Sequence, residues 1–81
     1  MNKYKDNLLN SSSKLDSLLE ESAKIKADIV EITEYNNFDV VVPLFKKFSK
    51  IIDSKKYNDE IKKYINLTKE SLLLYLGYLK I

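Results

Sequence analysis

The chain has 81 residues, room for one small domain. All fourteen of its basic residues are Lys, and Cys and His are both absent, which excludes disulfide frameworks, thiolate or imidazole metal sites and His-based acid–base catalysis. The formal net charge of +2 is too small to argue for nucleic acid, and one Gly and one Pro leave no glycine-rich phosphate loop and little turn chemistry for an all-β fold.

The first predicted element is a helix over residues 3–35. With Leu8 at heptad position a, the a and d positions are Tyr4, Leu8, Ser11, Leu15, Leu18, Ser22, Ile25, Ile29, Ile32 and Asn36. Most of these are apolar, and no Gly or Pro interrupts them, so the pattern is a coiled-coil or bundle seam. Leu9, Leu19, Ala23 and Val30 widen the stripe on one side, which suits two neighbours better than one. Lys14, Glu20, Glu21, Lys24, Asp28, Glu31 and Glu34 take the opposite face.

Asn36-Asn37 is the first break, because Asn tolerates left-handed backbone angles and ends helices. Asp39 is the candidate N-cap of the second helix. That helix is expected over about residues 40–55, with Pro43 in its first turn. Its stripe is Phe38, Val41, Phe45, Phe48 and Ile52, flanked by Leu44 and Ile51. Such an aromatic stripe is read as core.

A second break falls at residues 53–58. Asn58 is the next candidate N-cap, with Asp59 and Glu60 suiting the helix dipole. The third helix is expected over about residues 59–79. Ile61, Ile65, Thr68, Leu72, Tyr75 (or Leu76) and Leu79 form its stripe. After Ser71 the sequence is apolar almost all round, and a helix of that kind must bury its faces in a core or a partner. The fold class is therefore all-α: a long N-terminal heptad helix and two shorter ones, as a hairpin or three-helix bundle completed by partner helices. The residues assigned to packing against partners are Leu15, Leu18, Ile25, Ile29, Ile32, Phe38, Val41, Leu44, Phe45, Phe48, Leu72, Tyr75, Leu76 and Leu79.

Charge is uneven along the chain. Residues 1–42 hold five Lys against eight acids, and residues 43–70 hold eight Lys against four acids. The plain reading is two solvated faces; the sharper one is a basic surface for an acidic partner. Specific DNA readout is disfavoured without Arg. Lys55-Lys56-Tyr57 and Lys62-Lys63-Tyr64 interleave charge and aromatic rings, but without a stacking platform they are a weak signal for single strands. Asp28, Glu31 and Glu34 share one side of a helix, where a solvated face is the default reading over a cation site. No catalytic constellation is found, and neither a cofactor nor a small-molecule ligand is expected. The start lacks an apolar signal region, and no run is long enough to span a membrane. The expected location is intracellular.

From Asn37 the chain reads Asn-Phe-Asp-Val-Val-Val-Pro-Leu-Phe-Lys-Lys-Phe, with Ile32 six residues before Phe38. This resembles the first Duo-and-Dam-interacting subunit family of the DASH complex, the outer-kinetochore ring assembly. Phe38, Asp39, Val41, Leu44 and Phe48 sit at the family's offsets, with Phe45 where Trp is usual, and the likeness covers roughly residues 8–48. Tyr35-Asn36-Asn37 replaces the family's Gly turn, Pro43 is unusual, and the Lys-rich segment from Lys55 has no counterpart. The resemblance implies a structural subunit that packs with sibling helices through Ile32, Phe38, Val41, Leu44, Phe45 and Phe48. It also implies an indirect microtubule association at the kinetochore and spindle. A reading of another class fits the same composition: a small bacterial or phage helical protein that neutralises a target, such as a bacteriocin immunity protein. That reading requires a self-sufficient fold with an exposed patch.

Overall fold

The first helix ends one residue after a run of three serines. In the computed structural model, which describes residues 2–80, α1 spans Lys3–Lys14 and stops after Ser11-Ser12-Ser13. The Ser12 hydroxyl donates to the Leu9 carbonyl at 3.0 Å, and the Ser17 hydroxyl reaches the Lys14 carbonyl at 3.5 Å. Hydroxyls that bond nearby carbonyls compete with the helical ladder. A 3₁₀ turn over Leu15–Ser17 comes next, and the amides of Leu18 and Leu19 both donate to the Leu15 carbonyl. The chain then reverses, and α2 runs over Ser22–Tyr35.

The all-α class holds, but the helix expected over residues 3–35 is divided at this corner. A continuous helix of that length would measure about 50 Å, whereas the longest extent of the molecule is 34 Å. Turning back places Leu15 and Leu19 in the core, both at 5% exposure or less. The three-helix expectation thus becomes four helices among the described residues.

The second break falls where Asn was expected to place it. Asn36 adopts the left-handed conformation (φ 54°), and the Asn37 amide donates to the Glu31 carbonyl at 2.9 Å. The next cap is Asn37, not Asp39: the Asn37 side chain accepts from the Asp39 amide at 3.2 Å. Asp39 lies inside the short 3₁₀ turn Phe38–Val40, so its side chain is already past the capping position. The next helix, α3, spans Val41–Asp53, slightly shorter than the expected 40–55, with Pro43 in its first turn. The last helix, α4, spans Asp59–Leu79. Its N-cap is Asn58, which accepts from the Ile61 amide at 2.9 Å.

Cross-helix pairs fix the topology. Tyr4 stacks on Tyr78 with centroids 5.2 Å apart, the hydroxyls of Ser11 and Ser71 meet at 3.4 Å, and Lys14 lies over the Tyr64 ring. These run α1 antiparallel to α4 along the largest contact of the fold. Lys5–Glu34 (2.6 Å) ties α1 to α2, and Lys47–Asp28 (3.4 Å) ties α3 to α2. The helices therefore alternate up and down in a closed circuit, with α1 meeting both α2 and α4, and α3 meeting the same two. The Cα radius of gyration is 11.9 Å, against about 11.7 Å for a folded domain of this length.

Candidate docking surfaces

The fourteen residues expected to pack against partners are used by the chain itself. Leu15, Ile25, Ile29, Ile32, Leu44, Phe48, Leu72 and Tyr75 are buried in one core. Leu18, Phe38, Val41, Phe45, Leu76 and Leu79 are half-buried and packed against it. On α3 the buried line is Leu44, Phe48 and Ile51, so the stripe is rotated from the expected one. Leu44 and Ile51 move from flank to centre, and Phe38, Val41, Phe45 and Ile52 become its edges. Phe45 and Phe48 meet edge to face at 6.1 Å. Among the described residues no buried side-chain polar atom lacks a hydrogen-bond partner.

Tyr35 and Val42 are exposed singly, and the carboxyl-terminal half of α4 leaves several apolar side chains uncovered. Beyond Ser71, Leu72 and Tyr75 go inside, but Leu73 (52% exposed), Leu74 (60%) and Tyr78 (53%) face out. The requirement that this segment bury every face is thus not met within the chain. Leu67, Leu74 and Tyr78 are spaced seven and four apart, so they share one stripe. Gly77 lies beside them, and a Cβ built there meets no atom within 4 Å. The result is an apolar strip with a shallow centre on the carboxyl-terminal half of α4. The sequence signal for it was the all-round apolarity of Leu72-Leu73-Leu74-Tyr75-Leu76. Periodicity selected the inward residues and passed over the outward ones.

A second feature lies at the opposite end of α4. A half-open groove of about 370 Å³ separates α2, α3 and the 54–58 loop. Lys24 of α2, Lys47 and Lys50 of α3 and Lys56 of the loop surround it, over Ile51 and the Tyr57 ring. The Tyr57 hydroxyl donates to Glu21 Oε1 at 3.0 Å, and that acceptor carboxylate raises the phenol's pKa above its ordinary value. Lys47 is paired with Asp28. Among the described residues, no carboxylate comes within ion-pairing distance of Lys24, Lys50 or Lys56.

The acids singled out from sequence are dispersed. Asp28 meets Lys47, the Glu31 carboxylate accepts from the Asn37 amide at 3.4 Å, and Glu34 meets Lys5. No group of three potential metal-ligating residues forms among the described residues. Tyr57 and Tyr64, the two rings of the Lys-Tyr interleaves, are not arranged as one platform: Tyr57 lines the groove, and Tyr64 lies against Lys14 and Lys63. Among the described residues no helix is long and apolar enough to cross a membrane. The chain matches no family model, no curated protein and no solved structure.

Proposed function

We propose that this chain is a non-catalytic protein-binding subunit that works by helix packing, and that its partner is a helix seated on the Leu67–Leu74–Tyr78 strip of α4. The single observation that carries the reading is the exposure of Leu74 (60%) and Tyr78 (53%), with Leu67 (39%) on the same stripe. Contiguous exposed apolar surface of this kind marks interaction sites. The lack of His and Cys supports a role without catalysis. The finer form of the proposal, a DASH-type kinetochore subunit, rests on the sequence likeness around Phe38 to Phe48. In that form the partners are sibling helices and the microtubule association is indirect.

A second reading is favoured by the closed core. A self-contained four-helix chain with one exposed patch suits a protein that binds and neutralises a single target. The immunity-protein class is the example given by composition.

Co-purification from the native source tests the proposal. Wild type should be recovered with a fixed ratio of a helical partner. Leu74→Glu should keep its helical signal and melting temperature but lose that partner. Retention of the same partner by Leu74→Glu, or recovery of both proteins as identical monomers, would contradict the assignment. The identity of the recovered chain separates a ring-assembly sibling from a neutralised target.

A further inference from the structure

We infer that the lysine-rimmed groove between α2, α3 and the 54–58 loop is a docking site for an acidic peptide segment of a partner protein, anchored by one apolar side chain. This goes beyond the α4 strip and does not depend on it. Tyr57 lies two residues before α4, whereas Tyr78 lies in its last turn, so the two places are about 30 Å apart along the helix.

Charge complementarity selects the occupant. Four lysines from three separate segments line one groove, and Glu21, the carboxylate among its described lining residues, is engaged by the Tyr57 hydroxyl. Three of the four ammonium groups lack a carboxylate partner among the described residues. The floor is Ile51 and the side of Tyr57, and the lining is more apolar than polar. The cavity has the volume of a small-molecule site, but it is half open, and such sites bury most of their ligand. A segment tethered to a larger partner loses less from that openness. Lysines act as point charges and not as bidentate forks, which suits several loosely held carboxylates. Among the lining residues Tyr57 is the one aromatic ring, where a single strand would stack successive bases on several.

Fluorescence anisotropy tests the inference on the full chain. The probe is a labelled short poly-Glu peptide with one central Phe. Two controls accompany it: the same peptide with Gln at every Glu, and a single-stranded oligonucleotide of matching charge. The Glu probe should bind, the Gln probe should not, and added salt should weaken binding. The Lys24→Ala/Lys50→Ala double variant should weaken it roughly fivefold, on the scale of two exposed ion pairs. Lys3→Ala/Lys69→Ala removes equal charge outside the groove and should leave affinity unchanged. Alanine suits these helical positions, and circular dichroism checks the fold of each variant. Equal loss in both double variants, equal binding of the Gln probe, absence of binding, or preference for the oligonucleotide would each overturn the inference.

Discussion

Phe48 is the largest of the fully buried side chains, and it sits where α3 faces the other helices. Phe48→Ala removes most of that volume and should cost about 3–5 kcal/mol, comparable to what a single small core supplies in total. Urea denaturation checks this, and a loss under about 1 kcal/mol would contradict the core assignment. Two surface groups make pH-dependent predictions. Lys26 donates to Asp16 at 2.9 Å and holds that carboxyl below its ordinary value. The pair's contribution is therefore present above the unfolded carboxyl pKa and lost as acid protonates the folded form. Asp16→Asn should melt slightly earlier than wild type at neutral pH, and the two should converge as pH falls past the ordinary carboxylate value and through the lowered one. Tyr57 behaves with the opposite sign, because its raised pKa stabilises the protonated phenol. Tyr57→Phe should be slightly less stable at neutral pH, with the gap closing as pH rises past about 10 and through the raised value. Melting curves across pH check both, and a gap independent of pH would contradict the bonds assigned to these groups.

At the scale of elements, the helix faces were legible and one continuity was not. Of the ten a and d positions, Leu8, Leu15, Ser22, Ile25, Ile29 and Ile32 are buried, Tyr4, Ser11 and Leu18 are half-buried, and Asn36 is exposed. Periodicity could not reveal the corner at residues 15–21 because the apolar phase survives it: Leu8, Leu15, Ser22 and Ile29 keep a spacing of seven across the turn. No Gly or Pro announces the break, and serines, which favour caps and turns over helix interiors, precede it. Asn36 and Asn58 were legible because their capping chemistry is local. The α3 stripe keeps Phe48 but is rotated toward Leu44 and Ile51, because Leu44 and Phe45 are both apolar and only the neighbouring helices decide which points inward. The α4 strip was legible as excess apolarity but not as a direction. Gly77 makes its own prediction at this scale. It lies inside α4 with open space at its Cβ position, so Gly77→Ala should stabilise the free chain by about 0.5–1 kcal/mol. Chemical denaturation reads this directly. A destabilised variant would show that the site is not an open helical position.

For the whole molecule, the corner determines what is left over. One long seam would leave its apolar residues for partner helices. Folded back, the same residues close a core, and the surplus moves to the far end of α4. Lys5 and Glu34 register this choice: they pair at 2.6 Å, yet along one continuous helix they would stand about 44 Å apart. The chain contains no Cys, so cysteines introduced at these two positions would carry spin labels without interference from native thiols. An electron-spin distance measurement on the Lys5→Cys/Glu34→Cys variant tests the account directly. A separation under about 20 Å is predicted, the pair's contact plus the reach of two label arms. A distribution centred near the long-helix value would contradict the hairpin and return the seam to its partners.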